Sequence, residues 1–150
     1  MTIGLICNRD AVIIRRDESI HQAAKLMREY HVGSVIVVED TPLGIKPVGV
    51  LTDRDLVVEI LSLQLQPDSV SIGDVMSFEL VTAFEDDGIW VTLKRMRNQG
   101  IRRLPVTNQA GMLVGILTMD DILELLVGEL NDLVKLTGRE REQEILRRNG

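Results

Sequence analysis

At 150 residues with a formal charge of −6, the chain suits one domain or two small units sharing a core. Its acidity argues against a general nucleic-acid binder, which carries a basic face. Two histidines and the single Cys7 make neither a disulfide framework nor a metal set, and they leave no base and orienting group for a catalytic thiol.

No stretch nears the roughly 18 consecutive apolar residues of a membrane span. The opening MTIGLICNRD lacks the basic region and long apolar run of a secretory signal, so a cytoplasmic protein is expected. Tyr30, Phe78, Phe84 and Trp90 are the whole aromatic set. The core must therefore be built from Val, Ile, Leu and Met.

In chain order, a short apolar strand over 12–14 leads into the acidic turn RDES, whose carboxylates suit a helix N-terminus. The helix that follows is amphipathic, with Ile20, Ala23, Ala24 and Met27 on one face. Next come a buried-type strand (VGSVIVV), a Gly-containing turn and a further strand ending PVGVLT. A last helix starts at Thr52, a good N-cap. SLQLQPDSVSIGD connects, with Pro67 breaking the preceding helix.

The same order then returns: a strand over 80–83, the turn EDDG, a helix with Ile89, Leu93 and Met96 on one face, the strands IRRLPVT and LVGILT, and a helix from Thr118. Residues 11–38 overlie 79–107 without a gap until the ends, and GVLTDRD (49–55) overlies GILTMDD (115–121). Repetition of both pattern and motif marks a duplicated unit. One copy is marginal for burying its own apolar surface. The expectation is thus an α+β (α/β) fold of tandem β-α-β-β-α repeats about a pseudo-twofold axis: residues 3–66, residues 67–128, and a charged helical tail over 129–150.

This duplicated unit, with Gly-aliphatic-x-Thr-x-x-Asp at the end of each third strand, resembles a pair of CBS domains (a Bateman module). The resemblance covers about residues 3–128 and implies a non-catalytic regulatory module. Its ligand would contain adenosine: AMP, ADP, ATP or S-adenosylmethionine, with NAD-like nucleotides in some members. It implies one site of Thr52 and Asp55 with Met76, Val81 and Ile101. A second would hold Thr118 and Asp121 with Cys7, Val12, Val32 and Gly33.

An ionised carboxylate can accept a hydrogen bond from each ribose hydroxyl, and charge-assisted bonds are the stronger kind. The motif glycine would permit close backbone approach. The same Thr and Asp also read as a plain helix cap and a first-turn charge, and Cys7 also reads as core packing. Arg102 and Arg103 are the phosphate candidates, Arg103 foremost, since successive strand residues face opposite sides. Gly33 and Ser34 replace them in the first copy, which makes the two sites unequal. Arg54 is a further phosphate candidate or a solvated helix-start residue.

The helices after Thr52 and Thr118 are apolar on more than one side, so a further face must be buried. Together with Trp90, which falls off its helix's core stripe, this points to a homodimer, as the resemblance also implies. An unnamed protein partner would read ligand occupancy. A structural dimerisation module with vestigial pockets is the alternative.

Overall fold

A computed structural model describes residues 1–150. The first unit runs β1 (Ile13–Arg15), α1 (Ile20–Tyr30), β2 (Ser34–Thr41), β3 (Gly44–Thr52) and α2 (Asp53–Leu56), which continues as a π-helical turn over Val57–Leu61. A 3-10 turn (Pro67–Ser69) and α3 (Ile72–Val75) lead to β4 (Ala83–Phe84), α4 (Ile89–Gln99), β5 (Arg103–Thr107), β6 (Leu113–Thr118) and α5 (Met119–Asn149). Each unit holds a three-stranded sheet, parallel in its first pairing and antiparallel in its second. A β-bulge falls between Val37 and Val38 in one sheet and at the matching place, Val106 and Thr107, in the other. The tandem α+β architecture expected from the repeat is the one observed.

Local chemistry departs from expectation at the helix starts. The carboxylates of the acidic turns do not cap the helices that follow; the last residue of each turn does. Ser19 caps α1, accepting from the Gln22 N–H at 3.0 Å, while Glu18 closes the preceding turn by accepting from the Arg15 N–H. Before α4, Asp87 accepts from the Phe84 N–H and from Arg95, and the cap is Gly88 with no side-chain bond. On α1, Ile20, Ala23 and Met27 are buried, but Ala24 is exposed, because the helix turns it away from the sheet. The helix after Thr52 is interrupted by its π turn, whereas its twin α5 runs unbroken for 31 residues and straight through Gly138.

Two cores result, and each borrows a segment. Ile14, Ile20, Val35, Val37, Leu51 and Ile60 of the first unit pack with Ile72 and Met76. Ala83, Ile89, Leu104, Val106, Leu117 and Ile122 of the second pack with Ile3 and Cys7. The segment leading into each unit is therefore buried in the other. Short antiparallel bridges hold the exchange: Val50 with Ser77, and Asn8 with Ile116. β3 also packs against β6.

The exchange explains why the chain spells one phrase twice. A Cβ on Gly49 would stand 2.8 Å from both Met76 Sδ and the Ser77 carbonyl oxygen. One on Gly115 would stand 2.6 Å from the Asn8 carbonyl oxygen and 3.0 Å from Cys7 Sγ. Both glycines admit the borrowed segment. The close approach they allow here is to the borrowed segment's own backbone and sulfur atoms.

Candidate functional site

Where the two units meet, a cavity of about 620 Å³ opens. Thr52, Asp53 and Arg54 line it from the end of β3 and the start of α2, and Gly33, Ser34 and Ile36 from β2 and the turn before it. The second unit contributes Val81, Ile101, Arg102 and Arg103. A smaller cavity of about 240 Å³ lies on the other side of the same seam, lined by His31, Val32, Thr118, Met119 and Asp120. Gly33, Arg102 and Arg103 line both.

Thr52 reaches the cavity because it is simultaneously the end of β3 and the cap of α2. Its side chain accepts from the Asp55 N–H at 3.1 Å, and the Asp55 carboxylate accepts from the Thr52 N–H at 2.8 Å. Thr118 and Asp121 form the same reciprocal box at 3.2 and 2.7 Å, with the Thr118 hydroxyl also donating to Asp121 Oδ2 at 2.8 Å. One oxygen of each carboxylate is thus held by its own cap. Asp55 and Asp121 line neither cavity; Asp53 lines the larger and Asp120 the smaller.

The remaining expected residues divide. Thr52, Val81 and Ile101 come together in the larger cavity, and Val32, Gly33 and Thr118 in the smaller. Met76 lies in the first core and Cys7 in the second. Val12 packs beside the first core and lines a separate groove with Leu26 and Tyr30. Burial pushes the Cys7 thiol above its ordinary value, Arg9 opposing and Glu85 and Asp121 reinforcing, so it stays a neutral packing group at neutral pH.

Ser77, Glu79, Leu80, Pro105 and Ile116 also line the larger cavity, and the sequence reading did not find them. Ser77, Glu79 and Leu80 stand just before Val81 and Pro105 just after Arg103, while Ile116 lies in the second copy of the repeated motif. The His31 backbone adopts φ 53°, ending α1 in a left-handed cap. That turn brings His31 to the smaller cavity.

Arg103 sits opposite Thr118 in the β5–β6 register, and Ser34 sits opposite Thr52 in the β2–β3 register. The Arg103 guanidinium crosses the seam and donates from Nη1 to Ser34 Oγ at 2.9 Å. The serine that replaces an arginine in the first copy is therefore bonded to the arginine of the second.

The family model for the CBS domain matches residues 3–62 and 72–128. The chain belongs to the CBS domain family. An uncharacterized protein of Methanopyrus kandleri is 37% identical over 125 residues, covering 83% of this chain and 62% of that protein, so the chain spans about three fifths of that relative.

Among solved structures, Hypoxic Response Protein I, described with two coordinated zinc ions, matches at TM-score 0.73 and 29% identity, covering 83% of this chain and 98% of that one. A CBS domain pair in complex with 5′-methylthioadenosine and S-adenosyl-L-methionine matches at TM-score 0.71 and 25% identity, covering 86% and 98%. This CBS pair carries no cluster of three or more His, Cys, Asp or Glu side chains placed to hold a metal ion. None of its helices is long and apolar enough to cross a membrane.

Proposed function

We propose that this CBS pair is a cytoplasmic regulatory module. It takes an adenosine-containing ligand, an adenine nucleotide or S-adenosylmethionine, in the cleft between its repeats, and a protein partner reads the occupancy. The observation that carries this is the larger cavity: its volume falls within the ordinary range for small-ligand sites. Its walls also match the parts of such a ligand. Val81, Ile101 and Leu80 offer apolar surface to a purine, Asp53 and the Thr52 hydroxyl offer acceptors to a ribose, and Arg54, Arg102 and Arg103 offer cations to phosphate. The bound adenosine compounds in the related CBS pair support the same ligand class.

Asp55 and Asp121 keep a proposed ribose role through the carboxylate oxygen that their cap leaves free. A denaturation series with adenosine, AMP, ADP, ATP, S-adenosylmethionine and NAD tests the reading. A ligand that binds only the native state at a hundredfold excess over its Kd adds about 2.7 kcal/mol of apparent stability. A shift with none of them would favour the second reading, a structural homodimerisation module. The exposed apolar residues Val127, Leu130 and Val134 on α5 support a dimer in either case.

A further inference from the structure

The two cavities are separate volumes, but they share their only arginine pair. Arg102 and Arg103 line both, whereas Thr52 and Ser34 belong only to the larger and Thr118 and His31 only to the smaller. Arg103 starts beside Thr118 and ends at Ser34, so its side chain spans the seam between them. Its guanidinium is held at the larger cavity by one hydrogen bond to a neutral acceptor, the hydroxyl of a serine that is itself buried. An incoming anion offers a stronger, charge-assisted bond. Arg103 is exposed, and Thr118 lies beside it in the strand register.

We propose that the two cavities compete for Arg103, so that one chain binds two anionic adenosine ligands with negative cooperativity. This rests on the ligand class proposed above. An anion in the larger cavity holds the guanidinium at Ser34, and the smaller cavity then loses its best cation while facing an added negative charge across Gly33. Filling the smaller cavity first has the mirror effect, because coupling between sites is reciprocal. An uncharged ligand has no claim on the arginine and leaves the sites independent.

Calorimetric titration with ADP and with adenosine tests the competition. In the unsubstituted protein, ADP should bind in two steps whose separation exceeds that of adenosine by about tenfold, a typical coupling size. The decisive arm fills the larger cavity with protein, using Ile101→Trp and, should that variant fail to fold, Val81→Trp. Each residue lines the larger cavity only.

With Arg103 released, ADP should bind the smaller cavity about tenfold more tightly than the second step of the unsubstituted protein, and adding Arg103→Ala should remove that gain. An ADP affinity in the filled variant equal to the original second step would overturn the proposal, as would two equal ADP steps at the start. Absence of heat with both adenosine and ADP would refute the adenosine reading itself, and the competition with it.

Discussion

At the residue scale, the motif Gly-x-x-Thr-x-x-Asp has a structural reason for each of its letters before any ligand is considered. A methyl group at Gly115 would meet a backbone oxygen at 2.6 Å, which only backbone movement can relieve. Gly115→Ala should destabilise by about 1–3 kcal/mol, the usual cost of overpacking. Gly128 meets nothing within 4 Å and lies in α5, so Gly128→Ala should stabilise by about 0.5–1 kcal/mol. Urea unfolding of the two variants checks the contrast.

Asp121→Ala removes half of a capping box, and a loss of about 0.5–2 kcal/mol should accompany any loss of ligand affinity. Cys7 should alkylate more slowly than a free thiol in the folded protein and at the free-thiol rate in denaturant. Equal rates in both states would contradict its burial.

At the scale of elements, the same local rule recurs where no ligand is expected. Ser71 and Asp74 form a reciprocal box at the start of α3, the segment lent to the first core. The Ser71 backbone N–H, and after it the Ser71 hydroxyl side chain, hold the Asp74 carboxyl below its ordinary value. A carboxyl lowered in the folded state contributes stability above its unfolded pKa and loses that contribution as pH falls through the folded one. Asp74→Asn should therefore be less stable than the parent at neutral pH, with the gap closing in acid. Melting curves at several pH values would show it, and a pH-independent gap would assign the effect to packing.

The other helix of note is α5. Beyond residue 128 every residue is exposed, including Leu130, Leu133, Val134 and Leu136. A helix of this kind is normally stabilised by packing, since propensity alone is weak.

At the scale of the whole molecule, exchange of the leading segments ties the two units into one folding object. Neither core is complete without residues from the other side of the connection. Unfolding should be a single transition, and a calorimetric enthalpy well above the van't Hoff value would refute that.

The apolar residues left outside both cores, Val57, Val58 and Leu61 on the first unit and Leu123, Val127 and Leu130 on α5, are exposed, and the proposed homodimer would cover them. Val127→Glu, which leaves both cores intact, should shift sedimentation from dimer toward monomer without lowering helicity. Leu126 is unsuited to this test because it packs against the second core.

Much of this was legible in the sequence because it depends on neighbours in the chain. The β-α-β-β-α order follows from period and breakers, and the duplication from self-alignment. The caps at Thr52 and Thr118 are decided by groups within three residues, so sequence alone determined them. At the acidic turns the capping group is not legible in the sequence, for a related reason. Several nearby groups could take the same N–H, and local pattern does not say which one wins.

What tertiary structure decided involves pairs distant in sequence. Gly49 faces Met76, Gly115 faces Cys7, and Arg103 bonds Ser34. The two carboxylates expected at the cavities are turned into their own caps, while their neighbours Asp53 and Asp120 line the walls. The motif specifies which residues stand at the end of a strand. Which of their atoms face a ligand depends on how two sheets, brought together by apolar burial that has no preferred direction, settle against one another.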